Sequence, residues 1–176
     1  MGSKVKDSKA ITLTENQQEA YESLASACEY GLRRGTICLV GDFQSGKTTL
    51  VKYFLSQKFS QPDGHYMNVN LYLLEQLRKE RDDLPILGTM QAKARLIMEV
   101  ALEEEIEQHF AQRDLLVLDA IEILYPYRLN LVSLVSRHAR DGKICIICVP
   151  ENYKFAFDFS WGNCEIIKLE KAQVHK

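Results

Sequence analysis

Apolar positions along this chain switch between two periods, and the switching outlines an architecture before any residue is considered for its chemistry. Short continuous apolar runs at residues 36–40, 114–119, 143–149 and 165–169 are rich in Val, Ile and Leu, the signature of strands buried on both faces. Residues 65–70 read as a further strand. Between the runs the apolar residues recur at helical spacing. Helices are expected over 14–33, from Gly46 through Leu50, Val51, Phe54 and Leu55, over 71–80, and over 129–140. A longer helix sets Met90, Ala94, Ile97 and Ala101 on one face, with the acidic run Glu103, Glu104 and Glu105 on its solvated side. Thr14 followed three residues later by Gln17 is a capping box that starts the first helix. Gln61-Pro62-Asp63-Gly64 stops the second, and Asp82-Asp83-Leu84-Pro85 breaks the chain before the long one. Alternating strands and helices of this kind predict an α/β fold: a mainly parallel five-stranded sheet between two helical layers, with an N-terminal helix and no C-terminal helical lid.

Size and composition narrow this to one soluble domain. The chain has 176 residues, 46% of them apolar and 26% charged, so residues 11–170 suffice for a single core. Residues 1–10 and 171–176 read as a flexible leader and tail. A net charge of -2 offers no overall positive field to draw the protein to an anionic membrane or to nucleic acid, so DNA as a partner has no support from net charge. The apolar runs are too short to cross a bilayer, which leaves no membrane role. The N-terminus is polar and lysine-rich, and Lys6 stands where a myristoylation motif requires Ser or Thr. Five scattered cysteines fit a reducing, cytoplasmic setting.

One stretch brings chemistry to this scaffold. Gly41-Asp42-Phe43-Gln44-Ser45-Gly46-Lys47-Thr48 satisfies the eight-residue G-x-x-x-x-G-K-[ST] pattern, and Thr49 follows it into the helix. It lies between an apolar strand and a helix, as the mechanism requires. Glycines let successive backbone amides turn inward, and the helix N-terminus adds partial positive charge, so the loop suits anionic phosphate. Lys47 would set an ammonium on the β and γ phosphates of a nucleoside triphosphate, and Thr48 would offer a hydroxyl to magnesium. The fold expected is therefore a three-layer P-loop NTPase core holding ATP and Mg2+. A glycine turn that merely caps a buried helix would leave the lysine unexplained.

Such a loop requires a carboxylate opposite it, and Asp119, at the end of the apolar run from Leu115, is the candidate for the metal shell alongside Thr48. Many ATPases place a glutamate directly after this aspartate to activate water. Ala120 stands there, and Glu122 is the nearest substitute, so hydrolysis is expected to be slow. Asn68 and Asn70, two apart in the expected second strand, share a face and either reach toward the γ-phosphate water or satisfy loop backbone. Asn152, with Glu151 beyond the 143–149 strand, occupies the place of a γ-phosphate-sensing polar group. Arg137 and Arg140 end a predicted helix, where they either favour its dipole or serve as arginine fingers toward a neighbouring copy. Cys145 and Cys148 face opposite sides of a strand and read as core rather than as a metal or redox pair.

With these residues placed, the chain resembles the BrxF-like small P-loop proteins of bacterial BREX phage-exclusion systems. The resemblance lies in residues 41–49, in Met67-Asn68-Val69-Asn70-Leu71, and in residues 116–124 with their Asp119-x-x-Glu122 pattern, and it spans roughly 38–149. It implies an additional-strand, AAA+-like ATPase core in which the 143–149 strand lies between the P-loop strand and the Asp119 strand. It implies also a role in antiviral defence alongside other defence-system proteins; a regulatory or assembly function there is expected, and a nucleotide-dependent homo-oligomer is a further expected partner. Residues 150–170 depart from the family pattern. Two other classes fit the motif: a small-molecule kinase, and a noncatalytic nucleotide-sensing or DNA-associated scaffold.

Overall fold

The computed structural model describes residues 11–29, 35–79, 87–153 and 164–170; the expected leader, the 82–85 break and the tail lie outside them. Five strands form one sheet: β1 (Thr36–Gly41), β2 (Tyr66–Asn68), β3 (Leu115–Asp119), β4 (Ile144–Pro150) and β5 (Glu165–Leu169). Their order is β2-β3-β4-β1-β5, and every pairing is parallel. β4 thus separates β1 from β3, the strand order that the sequence resemblance implied. Continuous burial of β1 and β3 and nearly all of β4 follows from this central placement.

Helices cover both faces. On one side α1 (Glu15–Glu29) and α2 (Lys47–Lys58) close over Ile37, Leu39, Val117, Ile146, Cys148 and Ile167. On the other, α3 (Val69–Lys79), α4 (Leu87–Gln112) and α5 (Leu131–Ser136) close over Cys38, Val40, Leu116, Leu118, Cys145 and Ile147. Cys145 and Cys148 therefore point into different cores, as their spacing indicates. The capping box of α1 forms as expected: Thr14 N donates to Gln17 Oε1 at 2.9 Å, and Gln17 N donates to Thr14 Oγ1 at 3.4 Å. The last residues of the expected first helix, 30–33, lie outside the described residues.

Three elements differ from expectation. The second strand is not 65–70 but three residues long, because Asn68 Oδ1 accepts from Leu71 N at 3.0 Å and so caps α3, which begins at Val69. The expected helix over 129–140 is only α5: Asn130 caps it by accepting from Ser133 N, and the chain turns away after Ser136 toward Asp141 and Gly142. In α4 the buried stripe is Met98, Leu102, Ile106 and Phe110; Ala94 and Ala101 pack at its margin and Ile97 is half-buried. The helix carries two overlapping apolar stripes, and packing against α3 and α5 selects the second. Leu96 is left 61% exposed on the outer side.

This phase has a direct check. Leu102→Ala is expected to lower the unfolding free energy by about 2–5 kcal/mol through the cavity it leaves. Leu96→Ala is expected to change it by less than about 0.5 kcal/mol. Urea denaturation of the two variants distinguishes the faces.

Candidate functional site

Because all five strands run the same way, their carboxyl ends share one edge, where ligands of open α/β sheets bind. β1 ends there at Gly41, in register with Pro150 of β4 and Leu169 of β5. A Cβ on Gly41 would come within 2.6 Å of the Leu169 carbonyl oxygen, so only glycine lets the loop leave the sheet here. Gln44 and Gly46 both take left-handed backbone, φ 61° and 90°. That reverses the chain, and α2 starts at Lys47 with Gly46 as N-cap and no side-chain cap on its first amides. Gln17 of the α1 capping box lies against Gly46, which brings the N-terminal end of α1 beside the loop.

Lys47 is buried within the loop it follows. Its Nζ donates at 2.7 Å to the carbonyl oxygens of both Gly41 and Asp42, and lies 3.4 Å from Ser45 Oγ. Burial pushes its ammonium below the ordinary lysine range, and the negative groups around it, Asp119, Glu122 and Asp42 among them, oppose that shift. Around this cation opens a cleft of about 370 Å³ lined by Phe43, Gln44, Gly46, Lys47, Thr48, Thr49, Asp119, Ala120, Glu122, Cys148 and Pro150. Phe43, Gln44, Gly46, Lys47, Thr48 and Thr49 of the motif line this cleft, whereas Gly41, Asp42 and Ser45 do not and instead surround the Lys47 ammonium.

Asp119 closes the far wall. Thr48 Oγ1 donates to its Oδ2 at 2.6 Å, and Ala120 N donates to its Oδ1 at 2.8 Å. A second hydroxyl donor, the phenol of Tyr66, reaches the same Oδ2 at 2.9 Å from β2. Sequence reasoning missed Tyr66. Its only signal is register: Tyr66 pairs with Val117, so Asp119 is its diagonal neighbour on the same face. Beneath them Cys148 floors the cleft, its thiol pushed well up first by burial and then by the charge of Asp119. The residues present suit a triphosphate and its metal: a buried ammonium, uncapped helix amides, and a hydroxyl already paired to a carboxylate.

After Asp119 the chain turns through Ala120, whose φ is 52°. A non-glycine residue there costs about 1 kcal/mol or more, and Asn70 holds the turn in place. Asn70 N donates to Ala120 O at 2.9 Å, its Nδ2 donates to Glu122 Oε2 at 2.8 Å, and its Oδ1 accepts from Ile123 N at 2.8 Å. Asn68 and Asn70 therefore do not share a strand face toward the cleft. One caps α3 and the other binds the 120–123 turn, the backbone-satisfying alternative. Glu122 does line the cleft, with Asn70 on one oxygen.

The remaining candidates divide. Asn152 follows β4 in a short 3-10 turn, on the cleft's edge of the sheet but exposed and beyond the lining residues. Arg137 ends α5 at the opposite edge, where Ser136 meets Thr36 at the start of β1, and it pairs with Glu103 Oε1 at 3.0 Å. It thus stands away from this chain's own loop. Glu103 is correspondingly not a purely solvated member of its acidic run. No protein-family model matches the chain, and no curated protein matches it either.

The clamp on the turn predicts a structural cost. Asn70→Ala removes two side-chain hydrogen bonds and leaves Ile123 N without its partner, so stability is expected to fall by about 1–3 kcal/mol. Equilibrium urea unfolding measures it, and a variant as stable as the wild type would remove the clamp.

Proposed function

We propose that this chain binds a nucleoside triphosphate, ATP with Mg2+, at residues 41–49 and serves as a nucleotide-dependent switch rather than a fast ATPase. The observation that carries this reading is the hydrogen bond of 2.6 Å between Thr48 Oγ1 and Asp119 Oδ2, two groups 71 residues apart in sequence. Two unrelated segments, each chosen by the sequence for a metal role, meet beside a buried ammonium and an uncapped helix start. Thr48 and Asp119 are the residues that would hold the metal, which when bound supplies charge neutralisation for the phosphate oxygens. The amides of 44–48 and Lys47 would hold the phosphates.

Two features favour slow turnover. Ala120 puts no carboxylate directly after Asp119, and Glu122 is tied by Asn70 into the turn. To take a proton from water, Glu122 must have an oxygen within hydrogen-bond reach of it. Binding needs no such rearrangement. Participation in a phage-defence assembly, with other system proteins or further copies as partners, rests on the sequence resemblance and is the setting proposed for the switch.

Calorimetry with ATP and GTP in the presence of Mg2+ tests the core of the reading. Wild type is expected to bind, and Lys47→Ala to weaken binding by at least about ten-fold, the loss of one charge-assisted contact. Glu122→Gln is expected to lower phosphate release while leaving ATP affinity within about two-fold. A wild-type protein that binds neither nucleotide sinks the proposal.

The pH dependence has a defined sign. Lys47 must be protonated to attract phosphate, and burial lowers its pKa in the unliganded protein. Affinity for ATP is therefore expected to begin falling at a lower pH than an exposed lysine, with its ordinary value of about 10.4, would dictate. Titrations at stepwise increasing pH check this, and a decline that starts only at the ordinary lysine value contradicts it.

A further inference from the structure

Tyr66 has no role in the chemistry outlined above, yet its phenol donates directly to the proposed metal carboxylate. The ring is half-buried at the edge of the sheet, and Lys52 Nζ sits 4.9 Å from its centroid, one helical turn beyond Thr48 on α2. The ring is thus gripped by the same helix that supplies Thr48. Its hydroxyl and the Thr48 hydroxyl converge on one oxygen of Asp119, at 2.9 and 2.6 Å, while Ala120 N holds the other oxygen at 2.8 Å. Donors from three elements fix both the position and the rotation of this carboxylate. A tyrosine phenol is protonated at neutral pH, so it stands as a donor to this carboxylate.

Rigidity at such a carboxylate has a chemical consequence. Mg2+ demands near-ideal octahedral geometry at short distances, whereas Ca2+ accepts a larger and more irregular oxygen shell. Fixing the orientation of a carboxylate should therefore matter more for the ion with the stricter geometry. We infer that Tyr66 is a positioning residue that acts through Asp119 and makes the cleft discriminate in favour of Mg2+ over larger divalent cations. The inference rests on the reading of the cleft as a metal–nucleotide site.

The experiment uses the full chain and Tyr66→Phe, which keeps the ring under Lys52 and removes only the hydroxyl. ATP affinity is measured in EDTA and then across a Mg2+ series and a Ca2+ series. Metal-free affinity is expected to stay within about two-fold of wild type, since Asp119 is proposed to act on the metal shell. The Mg2+ concentration for half-maximal enhancement is expected to rise by about ten-fold, typical of losing an outer-shell partner. The Ca2+ value is expected to move by less than about three-fold. In an Asp119→Asn background, Tyr66→Phe is expected to have no further effect on the Mg2+ series, as a residue acting through Asp119 requires. An unchanged Mg2+ dependence, an equal loss for both cations, or a loss of ATP affinity already present in EDTA overturns the inference and leaves the nucleotide site standing. A wild-type protein that binds no ATP under any of these conditions overturns both.

Discussion

Asp119 is the point through which one end of the sheet is tied together. Its two oxygens accept from Thr48 on α2, Tyr66 on β2 and the backbone of Ala120, so one carboxylate fastens a helix, an edge strand and a turn. Hydrogen bonds to an ionised acceptor are among the stronger polar contacts a protein makes, and these lie at a half-buried site. Take the carboxylate away and Thr48 and Tyr66 both lose their acceptor, while the positive charge of Lys47 loses one of its nearest negative neighbours. The geometry of the proposed phosphate loop therefore depends on a residue far outside the loop.

The sheet order makes this possible. With β4 between β1 and β3, Asp119 stands one strand away from the P-loop strand rather than beside it. The gap is filled by the end of β4, where Cys148 and Pro150 line the floor of the cleft. A small thiol at that position leaves room above it, and its burial keeps it neutral next to Asp119 and Lys47. The apolar strands do more than build a core: their common direction gathers Gly41, Asn68, Asp119 and Pro150 at one edge, and their register sets how far apart those residues stand.

Much of this was legible because local pattern and local chemistry agreed. The runs at 36–40, 114–119, 143–149 and 165–169 became strands within one residue or so; the first three are buried strands with no competing period, whereas β5, at the sheet edge, buries only Ile167 and Leu169 and is not the doubly covered strand expected. Residues 41–48 became a strand–loop–helix corner because glycine spacing and helix start coincide. Where the pattern was ambiguous, tertiary contacts decided. Residues 65–70 are apolar and polar in a way that suits a strand, but Asn68 is also a good helix cap, and that signal was available at the sequence level. In α4, two overlapping stripes left the phase open until α3 and α5 were in place. Tyr66 could not be found without register, because its partner lies 53 residues away on a neighbouring strand.

The same residues separate two properties that the phosphate-loop motif runs together. Holding a triphosphate needs the ammonium, the amides and the Thr48–Asp119 pair, and all of these converge on one cleft. Fast hydrolysis needs in addition a carboxylate poised on water. The chain instead follows Asp119 with a left-handed alanine, a conformation that a β-branched or bulky residue would resist, and stabilises it with Asn70. Asn70 in turn occupies one oxygen of the nearest carboxylate, Glu122. A turn held by three hydrogen bonds to a single residue is a poor place for a group that must move on every catalytic cycle.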